Sequence, residues 1–163
     1  MGRLADKVLN KFFDKLILEG LRIINYAART NDTNADTSNM TDAYATALYY
    51  QGKRVRTRYY APKGQPDSTG IHKGWPKHHI QAGTGHGYLR TFFKNFKPST
   101  DGLCLICVNV IYYSSILEAG KQGGMGHKYH IISQISGEMT KLQSMFKGSE
   151  IVGIGIDRGR VVN

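Results

Sequence analysis

Residues 103–111, Leu-Cys-Leu-Ile-Cys-Val-Asn-Val-Ile, form an almost unbroken apolar run. The run follows Pro98-Ser99-Thr100-Asp101-Gly102, a stretch of turn chemistry, and reads as a strand buried in the middle of a sheet. A buried strand needs partners, and two β-prone segments precede it: Ala43–Tyr50 and Lys53–Tyr60, separated only by Gln51-Gly52. A two-residue connection ending in Gly predicts a hairpin, although Gln is a weaker first turn residue than Asn or Asp. With 163 residues, 40% of them hydrophobic, the chain is globular in character and long enough for one domain with a true core.

Helical periodicity brackets these strands. Over residues 3–29, Leu4, Val8, Phe12 and Leu16 form one row and Leu9, Phe13 and Ile17 a second beside it, continued by Ile23, Ile24 and Ala27. Two adjacent rows make an apolar face wider than the ~100° stripe of an ordinary surface helix. Such a helix is either sunk in its own core or packs one flank on its own domain and the other on another subunit. His130–Phe146 reads as a closing helix with Ile131, Ile135, Met139, Leu142 and Phe146 inward, and the tail from Glu150 as an edge strand or a projecting arm. The expected architecture is α+β: a small, mainly antiparallel sheet of 43–50, 53–60 and 103–111, packed by helices 3–29 and 130–147. One domain spans 1–147, and 148–163 forms a C-terminal arm.

Charge is unevenly distributed. Between Lys53 and Lys97 ten basic residues face one acid, Asp67, so this window carries nine of the chain's ten net positive charges. Such concentration implies a polyanionic neighbour. Strict alternation along 53–60 places Arg54, Arg56 and Arg58 on one strand face and Val55, Thr57 and Tyr59 on the other. Residues 61–87, with Pro62, Pro66, Pro76, Lys63, Lys73, Lys77 and four histidines, read as a long loop. In 88–97, Leu89, Phe92, Phe93 and Phe96 are spaced i, i+3, i+4, i+7, with Arg90, Lys94 and Lys97 mostly opposed. That spacing favours a short amphipathic helix stopped at Pro98, with an alternating strand as the open alternative. Asn31–Thr41 reads as a polar loop, Tyr112–Gly120 as a short helix and Gly120–Gly126 as a glycine-rich loop.

Little catalytic chemistry is readable. Cys104 and Cys107 have C-x-x-C spacing, but residues three apart in a strand point to opposite faces, which predicts buried structural thiols. His78-His79 and His127-x-x-His130 lack a metalloprotease pattern, and Gly83-x-Gly85-x-Gly87 and Gly123-Gly124-x-Gly126 are incomplete as phosphate loops. The expectation is a non-enzyme without metal or cofactor. No apolar run reaches the ~18–20 residues of a membrane span, and two cysteines make no disulfide scaffold, so a soluble intracellular protein without membrane partners is expected.

Three segments carry a resemblance. Asn39-Met40-Thr41-Asp42-Ala43-Tyr44 enters the first strand, and Val110-Ile111-Tyr112-Tyr113-Ser114-Ser115-Ile116-Leu117-Glu118-Ala119-Gly120 leaves the central one. Tyr129-His130-Ile131-Ile132-Ser133 opens the last helix. In this order they resemble the neck or tail-completion proteins of tailed bacteriophages, which form a ring between portal and tail. Ser38, Ala43 and Ser114 depart from the family's small-residue pattern, and Gly87-Tyr88-Leu89-Arg90-Thr91 offers a rival register for the first motif. The resemblance implies a structural virion protein, made in the bacterial host cytoplasm and placed at the head–tail junction. It would form a six- or twelve-fold homo-oligomeric ring that meets portal and adjacent neck or tail proteins. The basic segment 61–100 would be a loop insertion. Subunit contacts would involve Leu9, Phe13, Ile17, Tyr112 and Glu118. Arg54, Arg56, Arg58, Lys63, Lys73 and Lys77 would touch packaged DNA non-specifically or another polyanion. The alternative is a cellular nucleic-acid-binding module using 53–97.

Overall fold

A computed structural model describes residues 3–30, 43–60, 84–99, 101–110, 131–146 and 151–157. Its elements, in chain order, are α1 (Arg3–Thr30), β1 (Tyr44–Tyr50), β2 (Lys53–Tyr59), α2 (Thr84–Asn95), β3 (Leu103–Asn109), α3 (Ile131–Met145) and β4 (Ile151–Asp157). The class is α+β. One four-stranded sheet has the order β2-β1-β3-β4. Antiparallel pairing joins β1 to both β2 and β3, while β4 runs parallel to β3. The tail beyond residue 150 thus adds to the sheet edge, one of the two outcomes its composition allows. The segments 31–42, 61–83 and 111–130, including Lys63, Lys73, Lys77, Tyr112 and Glu118, lie outside the described residues.

The β1–β2 connection is a two-residue hairpin closed by the pair Tyr50–Lys53. Gln51 (φ 51°) and Gly52 (φ 73°) both occupy the left-handed region, the signature of a type I′ turn whose twist matches that of the flanking strands. Gly accepts that backbone freely, whereas Gln is strained there.

Alternation along β1 and β3 divides their side chains between two cores. One face carries Leu48, Leu105 and Cys107, which pack with Ile17 and Ile24 of α1 and Ile131 and Met139 of α3. The other carries Ala45, Ala47, Tyr49, Ile106 and Val108, covered by Leu89 and Phe93 of α2. The 88–97 segment is therefore helical as far as Asn95, and the helix starts at Thr84, so 84–87 are helical where a loop was expected. Nor is 61–100 wholly an insertion on a complete domain. The apolar row of α2 forms the second layer of the fold, and the small Ala45 and Ala47 leave room for its phenylalanines.

On the opposite face α1 crosses the sheet closely at Gly20. A Cβ at this position would collide with Thr46 Oγ1, and would lie 3.2 Å from Thr46 Cβ and 3.4 Å from Leu105 Cδ1. Surface ion pairs join the two helices of this layer: Arg22 binds Glu19 at 2.6 Å and lies 4.0 Å from Glu138, which in turn holds Lys141 at 2.6 Å. The Lys141 hydrogen bond holds the Glu138 carboxyl below its ordinary value, and the hydrogen bond with Glu19 raises the pKa of Arg22.

Two substitutions test this account. Gln51→Asn relieves the left-handed strain and should stabilise the fold by about 0.5–1 kcal/mol in urea unfolding, because Asn tolerates that backbone far better. Gly20→Ala gains up to about 1 kcal/mol of helix propensity but overpacks the α1–sheet contact, at a cost of about 1–3 kcal/mol. A net loss of stability is expected, recovered in large part by adding Thr46→Ala; a stabilised single variant would disprove the close approach.

Candidate functional site

The charge excess of the chain points to the hairpin arginines. A β-bulge at Leu48/Tyr49 pairs Leu48 with Arg56 and Tyr49 with Arg54, leaving Val55 as the extra residue. Directly opposed residues share a sheet face, so the three arginines do not form the single stripe that strict alternation predicts. Arg54 follows Tyr49 to the α2 face, where its guanidinium lies 5.1 Å over the centroid of the Phe93 ring. Arg56 and Arg58 stand on the α1 face, and Val55 packs there against the larger core.

Arg56 is further committed. Its Nε donates to Asp14 Oδ1 at 2.7 Å and its Nη2 to Asn10 Oδ1 at 2.8 Å, tying the edge strand to α1. The acidic partner missing from the 53–97 window comes from the first helix. Arg58 carries a long contact from Nη1 to the Thr57 carbonyl. Of the three, Arg56 is thus a structural clamp and no free phosphate ligand, a role invisible to a reading of the strand alone.

A different surface emerges on α1. The 28-residue helix is about 42 Å long at 1.5 Å per residue. The seven-residue strands beneath it span only about 23 Å. It must overhang, and residues 4–11 are all exposed. Leu4 is 76% exposed and Val8 62% exposed, with Leu9 at the margin. This flank continues into a groove lined by Leu9, Phe12, Phe13, Tyr50 and Leu103, with Gln51 and Asp101 adding polar lining. Phe12 also meets Phe146 edge-on, beside Met145, which is 79% exposed. Of the expected interface positions, Leu9 belongs to this flank. Phe13 and Ile17 are buried in the chain's own core, Ile17 completely, so neither presents its side chain to a neighbour. Leu4 and Val8, by contrast, are exposed. Their periodicity was plain in the sequence, but which side of the helix the sheet covers was not.

The cysteines behave as their spacing predicts. Cys104 lies in the α2-side core and Cys107 in the α1-side core, both as free thiols. Cys107 Sγ sits 3.8 Å from the Gly20 carbonyl and 3.7 Å from Met139 Sδ. Burial pushes its pKa up to about 12, against a smaller pull from Thr46, and also raises that of Cys104. A thiol held protonated in this way is a poor nucleophile at neutral pH. Among the described residues no three His, Cys, Asp or Glu side chains gather as a metal site, and no helix is long and apolar enough to cross a membrane. No family model matches the sequence, and no curated protein or solved structure matches it.

Alkaline unfolding provides a check on the buried groups. Burial raises Cys107 from 9.0 to about 12 and Tyr49 from 10.0 to about 12. The unfolded chain therefore loses these protons first, and stability should fall as pH rises from about 9 towards 12 and be insensitive to both groups below 9. Denaturant midpoints across that window should show the decline. Cys107→Ala should lessen the part that begins near 9.0, leaving the contribution of Cys104, and keep the part that begins near 10.0.

Proposed function

We propose that this chain is a structural subunit of a homo-oligomeric ring in the head–tail connector of a tailed bacteriophage, without catalytic activity. In that role it joins portal to adjacent neck or tail proteins around the DNA channel, in six- or twelve-fold copy. The observation that carries the reading is the α1 overhang: two helical turns that expose Leu4, Val8 and Leu9 and lead into a groove with aromatic walls and a polar rim of Gln51 and Asp101. Exposed apolar surface of this kind, rimmed by Lys7, Lys11 and Asp14, suits contact with a neighbouring subunit. The order of sequence motifs supplies the choice of ring, and the α+β scaffold with a long first helix and a closing helix agrees with it.

A second reading, a cellular nucleic-acid-binding module, draws on the basic β2–α2 region. It requires tight, salt-sensitive binding of nucleic acid by the isolated monomer, whereas a ring subunit binds weakly until assembled, because each copy offers few phosphate contacts.

Assembly decides between them. Electron microscopy of the purified protein, with and without portal, should show rings formed on the portal platform. Leu4→Glu combined with Val8→Glu should change monomer stability by no more than about 0.5 kcal/mol, since both positions are exposed. The same variant should fail to join the particle. Normal incorporation of the variant would remove the overhang as the subunit contact, and failure of the wild-type chain to enter any virion would end the ring reading.

A further inference from the structure

The acids of the described residues are unevenly placed. Asp6, Asp14 and Glu19 lie on α1, Glu138 on α3, Asp157 at the end of β4 and Asp101 in the turn before β3. The sequences of β2 and α2 contain none. Three cations of the α1–α3 side are paired, Arg22 with Glu19 and Glu138, Lys141 with Glu138 and Arg56 with Asp14, while Lys7, Lys11 and Lys15 of α1 share their helix with three acids. On the α2 side Arg54, Arg90, Lys94 and Lys97 are exposed, and among the described residues none of them forms an ion pair.

These four come together through Phe93. Arg90, Lys94 and Lys97 stand at i, i+4 and i+7, one row along the helix. Lys97 lies just past the end of α2, where the Phe96 N–H still donates to the Phe92 carbonyl at 2.8 Å. At about 100° per residue, Phe93 falls between this row and the line of Leu89 and Phe96 that faces the core. Phe93 is also the residue that meets β2, through Arg54 at 5.1 Å and Tyr59 at 6.4 Å. The cationic row therefore runs along the flank of α2 nearest Arg54. The Phe93 ring beneath the Arg54 guanidinium restrains it in place, so less side-chain freedom is lost on binding.

We propose that this flank of α2 with the adjoining end of β2 is a binding surface for the phosphate backbone of duplex DNA, made by Arg54, Arg90, Lys94 and Lys97. The choice of DNA among polyanions rests on the ring reading; the surface itself rests on the placement of charge. It reassigns the DNA contact from the expected arginine stripe, of which only Arg54 remains, to a helix that residues Arg56 and Arg58 do not adjoin.

A short labelled duplex of mixed sequence and the full chain test it by fluorescence anisotropy across a salt series. With four phosphates neutralised, log affinity should fall against log salt with a slope of about −3.6, an affinity loss of about 150-fold from ~50 to ~200 mM salt. The triple variant Arg90→Gln, Lys94→Gln, Lys97→Gln should lose only about 4-fold over the same range, with a slope near about −0.9. Lys94→Gln alone, at an exposed site that leaves the fold intact, should lessen the slope by about 0.9. Arg58→Gln on the other face should change neither affinity nor slope. A triple variant with the wild-type slope, a wild-type chain that does not bind duplex at the lowest salt, or stronger binding to polyglutamate than to DNA would each overturn the assignment. Assembly is read separately: the triple variant should still enter the ring. A wild-type chain that shows the expected slopes but joins no virion would overturn the ring and leave the surface standing.

Discussion

The β1–β3 pair is the wall that both halves of this molecule share. Each strand sits in the sheet interior, so each is flanked by hydrogen-bonded neighbours and has apolar side chains on both faces. At about 1.5–3 kcal/mol for each fully buried aliphatic side chain, neither face can be left to water. Two unlike layers answer that demand. A pair of long helices with ion-paired surfaces covers one face, and a short, purely basic helix covers the other. Among the described residues, β2 and α2 bring no acid to the second face, whereas α1 and α3 bring four to the first.

Length mismatch is the second governing fact. A helix nearly twice as long as the strands it crosses cannot bury its whole apolar row within one domain. Close contact at Gly20 anchors the middle of α1, and Arg56 with Asp14 and Asn10 ties its lower turns to the edge strand. Beyond that clamp the helix carries hydrophobic side chains that its own sheet does not reach. Burial is thereby divided along a single helix, with the C-terminal two thirds serving the core and the first turns exposed.

Much of this was legible in the sequence. The apolar run at 103–109, the Gln51-Gly52 turn, the two long helices and the opposite facing of Cys104 and Cys107 all follow from local periodicity, which backbone geometry enforces residue by residue. Three things did not follow, each for a non-local reason. The bulge at Val55 depends on how β2 registers against β1, and no pattern within β2 records it. Burial of Phe13 and Ile17, against exposure of Leu4 and Val8 in the neighbouring row, depends on which side of α1 the sheet covers: at about 100° per residue Leu4 and Val8 lie well away from the side marked by Gly20. The cations of α2 were visible at helical spacing, but their relation to Arg54 runs through Phe93 and needs the two elements in place. The interface residues Tyr112 and Glu118 and the loop lysines Lys63, Lys73 and Lys77 lie outside the described residues.

The bulge at Val55 also bears on how this hairpin can change over time. Because Val55 is the residue without a cross-strand partner, its loss would leave a regular ladder in which Arg54 still opposes Tyr49 and Arg56 still opposes Leu48. Length variation at that one position would move no arginine to another face, at the expense of an aliphatic contact with the larger core. A residue gained or lost between Arg56 and Tyr59 has the opposite effect. It would invert the side on which the outer half of the strand is displayed, and so exchange the residues offered to α1 with those offered to α2 while the chain's charge stayed the same.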